Sequence, residues 1–255
     1  MAAVNYDSRR WLFLLMCVTI NICAGFGYAW SVFQKPLISL QNWTAADVSL
    51  AFTLMMGVSA LPQALAGKAQ EYMQPRQVIL VGGLLLSLGV LGMGYIQSLF
   101  QLYAGSLLTG LGIGVTYSGT VANIVKFFPD RRGLAAGALA AGMGAGAVIL
   151  APLTSLIILR YDVLTTFKLL GLLFLVVTCG LSRLVKTAPE NYAPTGYITA
   201  VDSPLAAAVA DKNWQEMLGD RMFYIMAGIF IVGATSGMMI MGHASPIAQE
   251  ILHIS

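Results

Sequence analysis

The sequence predicts an all-α membrane protein, and three observations carry that prediction. Six apolar runs of about 20 residues lie between Trp11 and Val185, and a seventh begins after Arg221. A helix of that length crosses a hydrocarbon core of ~30 Å. The chain is 58% hydrophobic and 10% charged, with a mean hydropathy of +0.78. That is too little charge for the surface of a soluble domain. The third observation is that Lys and Arg gather in alternate loops.

The spans are expected near 11–33, 48–66, 78–97, 100–125, 133–158, 164–185 and 222–243. The first is too long for a signal peptide and lacks a small-residue cleavage site, so it is read as a retained span. Before the second, Asn42-Trp43-Thr44 matches a glycosylation sequon, a triplet that also arises by chance. The third carries Gly82, Gly83, Gly89, Gly92 and Gly94. The fourth has Gly105, Gly112 and Gly119 at intervals of seven, hence on one stripe. The fifth has Gly133 and Gly137, then Gly142 and Gly146, each pair four apart. Such stripes let two backbones approach closely, which matters where lipid is as apolar as the side chains. Pro152 is expected to break the hydrogen-bond ladder of the fifth span and kink it. The seventh span is expected to end near His243, because Pro246 follows.

Arg9, Arg10, Lys68, Arg76, Lys126, Arg131, Arg132, Arg183, Lys186, Lys212 and Arg221 fall on one side of this layout. Lys35, Arg160 and Lys168 fall on the other. The positive-inside rule places the N-terminus and the loop 186–220 in the cytoplasm; the cell's inner (plasma) membrane is the expected location. That loop holds Pro189, Pro194 and Pro204 and reads as a linker. The alternative for its end, Trp214–Leu218, is a short amphipathic helix on the membrane surface. The expected organisation is therefore a six-helix unit at 1–186, a linker at 187–220 and a further helix at 221–255. A span bundle followed by a long cytoplasmic connection and a new span is the layout of one transporter half joined to another.

Composition excludes other classes. A net charge of +3 gives no argument for nucleic acid. Cys17, Cys23 and Cys179 lie inside apolar runs without ligand spacing, and His243 and His253 have no carboxylate cluster beside them. No metal and no cofactor are expected. No nucleophile–base pair, paired acids or nucleotide loop points to an enzyme. A seven-span receptor would share the span count, but its N-terminus would lie outside.

The loops are more specific. Gly67-Lys-Ala-Gln-Glu71-Tyr-Met-Gln-Pro-Arg76 resembles the loop signature of the major facilitator superfamily. It departs from it at Tyr72, where a basic residue is usual, and at Gln74, where Gly is usual. Lys126-Phe-Phe-Pro-Asp130-Arg131-Arg132-Gly-Leu-Ala-Ala-Gly137 resembles the oxalate/formate antiporter family and its monocarboxylate-transporting relatives. Gly242-His-Ala-Ser-Pro-Ile-Ala-Gln-Glu250 and Tyr28-Ala-Trp30-Ser31-Val-Phe33 are similar to it too. The resemblance implies a six-helix bundle built as a three-plus-three repeat, a second such half, and rocking about a central anion site. It implies small carboxylates as substrates, the family's essential cations lying in the second half. The loop residues Gly67, Glu71, Arg76, Asp130, Arg131 and Arg132 would then serve conformational change. The expectation is a truncated or split transporter, or a half that needs a second polypeptide and does not exchange oxalate and formate alone.

Within the spans no Lys or Arg lies deep: Lys35 and Lys168 sit at the outer ends, from which they snorkel. This half offers neutral donors only. Tyr28 and Ser31 are three apart on the first span, with Gln34 near its end. Gln63 lies in the second, and Tyr117 and Thr120 share a face of the fourth, with Asn123 one turn on. A hydroxyl or amide donates to a carboxylate without adding charge. The alternative for each is a helix–helix hydrogen bond. Trp30 either walls the pocket or belongs to an aromatic belt. Gly25-Phe-Gly27-Tyr28 and Gly112-Ile-Gly114-Val-Thr-Tyr117 echo each other, and a three-plus-three repeat would place both centrally. His243 is read as a helix-end residue, or alternatively as a proton site in symport.

Overall fold

Helices form where the apolar runs predict them, and short polar devices set their ends. In the computed structural model the described residues are 6–189, 192, 194 and 214–252, with the backbone alone at 6–8, 64–72, 214–215 and 238–252. The elements are α1 (Tyr6–Ala24), a 3₁₀ turn (Gly25–Ala29), α2 (Ser31–Gln41), α3 (Ala45–Tyr72), α4 (Pro75–Met93), α5 (Leu99–Phe127), α6 (Arg132–Arg160), α7 (Val163–Leu184), α8 (Trp214–Leu218) and α9 (Arg221–Leu252). Six segments are long and apolar enough to span a membrane: Arg9–Ala29, Ala45–Gln63, Pro75–Met93, Leu99–Phe127, Arg132–Arg160 and Val163–Leu184. Arg221–Gly237 is a shorter apolar stretch of α9. The chain divides into two compact units, Met1–Pro194 and Thr195–Ser255.

Local chemistry explains the ends. Asn42 stops α2 in the left-handed region at φ 55°. Thr44 then opens α3: its hydroxyl accepts from the Asp47 N–H at 3.2 Å, and the Asp47 carboxylate accepts from the Thr44 N–H at 3.0 Å. This reciprocal cap satisfies two backbone donors that a helix start leaves free. At the starts of α5 and α7 the cap is a single bond: Ser98 accepts from the Gln101 N–H and Asp162 from the Thr165 N–H.

The first expected span is not one regular helix. It tightens to a 3₁₀ turn at Gly25–Ala29 and continues as α2 to Gln41. The cause is close packing: a methyl group at Gly25 would land on the Met143 carbonyl, and one at Gly146 would lie 2.7 Å from the Gly25 Cα. One proline expectation is also corrected: α9 runs past Pro246 to Leu252. α6 continues past Pro152, which has no backbone N–H to give to the ladder. A missing N–H is tolerated in a long apolar helix whose remaining ladder holds. Trp214–Leu218 forms a helix, where a plain linker had been the first reading.

In the first unit α1 pairs with α6, α3 with α5, and α4 with α7, while α4 also packs along α5. Numbered as spans, first meets fifth, second meets fourth and third meets sixth. These three pairings are unchanged when spans one to three trade places with four to six, whereas the broad α4–α5 contact has only a slight counterpart between α1 and α7. Glycines make the contacts. Gly82 and Gly89 of α4 face Thr116 and Thr109, while Gly105 and Gly112 of α5 face Met93 and Leu86. Gly110 and Gly114, on another face of α5, receive the Met55 and Ser59 carbonyls of α3. The fifth-span stripe is only half used. Gly142 and Gly146 meet α1, whereas Gly133 and Gly137 have nothing within 4 Å.

Two apolar clusters fill this unit. One holds Phe26, Trp30, Phe33, Met55, Leu86, Phe167 and Phe174; its Phe33 and Phe167 rings stack at 4.4 Å. The other holds Phe13, Cys17, Ile20, Ile79, Ile124, Phe127, Phe128 and Leu139.

Candidate functional site

Between the two clusters lies a polar layer. On α1, Ile20 belongs to one cluster and Cys23 to the other, with Asn21 between them. On α5, Ile113 and Ile124 bracket Thr116, Tyr117 and Thr120 in the same way. Asn21 and Thr120 are both fully buried. The Asn21 Nδ2 donates to the Thr120 hydroxyl at 3.0 Å. The Thr120 hydroxyl has one hydrogen and two acceptors in reach, the Tyr117 carbonyl at 2.9 Å and Asn21 Oδ1 at 3.3 Å.

Tyr28 and Tyr117 are both half-buried. They come from the 3₁₀ turn and from α5, the two segments whose glycine–tyrosine patterns echo each other. A 3₁₀ turn of three residues brings positions i and i+3 into line, so half-buried Ser31 follows Tyr28. Trp30 is 1% exposed and packs against Phe33 and Phe167, with centroids 6.1 and 6.4 Å away. It sits inside the bundle, which corrects the belt alternative. Its Nε1 has no hydrogen-bond partner among the described residues.

Gln63 is not drawn into this group. It is exposed, and its Nε2 donates to the Ser59 carbonyl one turn back on α3. The structure thus joins Tyr117 and Thr120 on α5, sets Tyr28 in the 3₁₀ turn with Ser31 at the start of α2, buries Trp30 between them in sequence, and leaves Gln63 apart.

The loop residues have distinct places. Arg10 at the start of α1 bonds Asp130 at 2.8 Å and lies over the Phe128 ring at 4.9 Å. Arg131 is farther from the same carboxylate, at 3.8 Å, and is 58% exposed. Arg132 begins α6, and Arg76 lies exposed in the first turn of α4. The side chains of Gly67 and Glu71, and that of His243, lie outside the described residues. Asn123 holds the chain after α7: its Nδ2 donates to the Lys186 carbonyl at 3.0 Å, and its Oδ1 accepts from the Ala188 N–H at 3.3 Å. Arg10–Asp130 and Asn123–Lys186 gather the start of α1, the α5–α6 turn and the end of α7 at one end of the bundle.

Sequence reasoning missed Asn21. The available signal was an amide in the middle of an apolar run, which in lipid must find a partner. The Arg10–Asp130 pair, 120 residues apart, left no local signal.

Comparison with known proteins gives the family. The profile of the Major Facilitator Superfamily matches residues 9–255. The chain is 26% identical over 257 residues to an uncharacterised MFS-type transporter, YhjX, of Escherichia coli (strain K12), covering 100% of this chain and 61% of that protein. It is 27% identical over 244 residues to an oxalate:formate antiporter of Oxalobacter formigenes, covering 95% and 56%. Among solved structures, a bacterial homolog of the human lysosomal transporter Spinster, in an inward-facing and unoccupied conformation, superposes with a TM-score of 0.68. It is 17% identical and covers 100% of this chain and 58% of that one. The chain therefore spans a little over half the length of these proteins. With six helices long enough to cross a bilayer, glycine-lined pairing and a match along almost its whole length, this multi-pass membrane chain belongs to the major facilitator superfamily.

Proposed function

We propose that the six-helix unit forms one wall of an alternating-access pathway for small organic anions of the oxalate, formate and monocarboxylate type. Proteins of this superfamily are transporters and not enzymes. The observation that carries the reading is the polar layer between the two apolar clusters, with Asn21 on α1 and Thr116, Tyr117 and Thr120 on α5, followed along the chain by Tyr28 in the 3₁₀ turn. The 27% identity to an oxalate:formate antiporter supports the substrate class. Phenol hydroxyls, with Ser31 beside them, give a carboxylate hydrogen bonds without charge. Neutralising a buried anion takes a cation as well. The described spans have Lys and Arg only towards their ends, so the cation comes from a second six-helix wall, on a continuation of this chain or on a second polypeptide. Thr120 ties α5 to Asn21 beside Tyr117, Gln63 stays outside this group, and Trp30 stiffens the turn that carries Tyr28.

The end that holds Arg10, Asp130 and Lys186 faces the cytoplasm, as the loop charges require, and the membrane is the plasma membrane. There Asp130 ties the α5–α6 turn to α1, and Arg131, Arg132, Arg76, Gly67 and Glu71 belong to the loops that change partners as the pathway opens.

The test is counterflow of labelled oxalate, formate and lactate into proteoliposomes holding the protein, alone and with a second six-helix half supplied in trans. Carboxylate exchange that requires the second half is the expected result. Exchange of neutral or cationic solutes instead, or no carboxylate exchange by the assembled pair, overturns the reading.

A further inference from the structure

At the end of the bundle that carries Arg10 and Asp130, a cleft of about 530 Å³ opens between the α5–α6 turn and the chain that follows α7. Lys126, Pro129 and Arg132 form one side, and Ala188, Pro189 and Tyr192 form the other. Described residues of both walls are held in place. Asn123 is wholly buried and holds the second wall by its bonds to Lys186 and Ala188. The Tyr192 ring meets Phe127 edge-on at 5.8 Å. The turn of the first wall is closed by the Arg131 N–H donating to the Phe128 carbonyl at 3.1 Å.

Among the described residues, the charge of the cleft is positive. Asp130, the carboxylate in the turn, is taken by Arg10 at 2.8 Å. Among the described residues, no carboxylate lies within 4 Å of Lys126 or Arg132. Arg132 is the first residue of a 29-residue helix, whose amino end adds to the positive potential. The location is the boundary of the apolar spans, where lipid headgroups lie, and Leu134 is exposed one step along α6.

We propose that this cleft binds a phosphate-bearing anion, presented as the headgroup of an anionic phospholipid, with Lys126 and Arg132 as its cationic contacts. A phosphodiester offers several acceptor oxygens to the planar guanidinium and to the ammonium at once. Basic pockets between spans on the cytoplasmic side select anionic headgroups in this way. The assignment rests on the spans being membrane-embedded and is independent of which solute the protein moves.

The test uses the whole chain, purified from bilayers mixing phosphatidylglycerol with phosphatidylcholine, and native mass spectrometry of the lipid retained. Two surface cations are each worth about a factor of five at such a membrane, so K126Q/R132Q is expected to bind phosphatidylglycerol ~30-fold more weakly. K126R/R132K is expected to keep it. Both positions are exposed, and circular dichroism checks that the helices persist. Millimolar inorganic phosphate separates the sources. Failure to displace the lipid assigns the site to the headgroup, and displacement that depends on Lys126 and Arg132 assigns it to free phosphate; both support phosphate chemistry. Glu190, next to Pro189 in sequence, lies outside the described residues, so E190Q is measured too. Equal phosphatidylglycerol retention by wild type and K126Q/R132Q overturns the proposal. So does binding that arises only in E190Q, since the chain would then fill its own cleft.

Discussion

The Asn21 amide donates to the Thr120 hydroxyl across α1 and α5 at 3.0 Å, and neither residue is accessible to solvent. This is a polar cross-link inside an apolar bundle. Each partner would otherwise leave donors or acceptors unmet in a medium that offers none. It also fixes α1 one turn below the 3₁₀ segment that carries Tyr28.

Removing the Thr120 hydroxyl while keeping its shape, as in T120V, is expected to destabilise the first unit by about 1–3 kcal/mol, since the Asn21 amide loses its partner. Replacing both, as in N21L/T120V, should cost less than the two single changes together. A double-mutant cycle on thermal unfolding in detergent reads that coupling. Strict additivity would mean the bond carries no energy of its own.

The glycines of α6 predict opposite outcomes within one helix. G146A places a methyl 2.7 Å from the Gly25 Cα and 2.8 Å from the Ile22 carbonyl, and is expected to lower stability by about 1–3 kcal/mol. G137A meets nothing within 4 Å, and is expected to be neutral or to stabilise by up to ~1 kcal/mol through helix propensity. Melting curves of the two variants side by side check this. Equal losses would show that α1 and α6 do not meet at Gly25 and Gly146.

Asp162 gives a pH signature. Hydrogen bonds from Thr165, aided by the charge of Lys168, hold its carboxyl below the usual range; the backbone bond is 2.6 Å long. A depressed folded value means stabilisation that is present above the unfolded value of ~3.9 and is lost as pH falls through the folded one. D162N keeps a capping side chain but cannot titrate. The stability difference between wild type and D162N should hold steady from pH 7 to about 5 and shrink below about 4. A flat difference down to pH 3 would refute the capping account. D162A should cost about 1 kcal/mol at neutral pH.

For transport, Y28F and Y117F each remove one donor and leave the ring. A hydrogen bond to a charged group is worth enough that KM for carboxylate exchange should rise ~10-fold or more, with the amount of folded protein unchanged. An unaltered KM in both variants would move the site away from the polar layer.

Much of the fold was legible because lipid enforces long apolar runs and small-residue stripes. Gly105 and Gly112 face α4, and Gly142 and Gly146 face α1, as their spacing implies. Gly133 and Gly137 carry the same spacing and touch nothing within 4 Å, because spacing reports a face without reporting its neighbour. The glycine–tyrosine echo singles out Tyr28 and Tyr117, and both are half-buried. Asn21 could not be matched to Thr120, since any of several hydroxyls would satisfy an amide. Asn123 was read as a donor for substrate, yet its amide bonds the linker backbone at Lys186 and Ala188. Such a partner follows from where the chain travels after α7, which has no local pattern. The 3₁₀ turn was hidden for a related reason, since it answers to the approach of Gly146.

Helix α4 has small residues on two sides. Gly82 and Gly89 seat on α5, while Gly83 meets Thr178 and Leu91 meets Gly171 on α7. In mechanical terms it is a wedge driven between two neighbours, with the Ser87 hydroxyl 3.5 Å from that of Thr178. Added bulk on either side would be transmitted across its width as well as along its length. A displacement of α5 should therefore carry α4 and α7 with it, so that half of the bundle would shift as a slab.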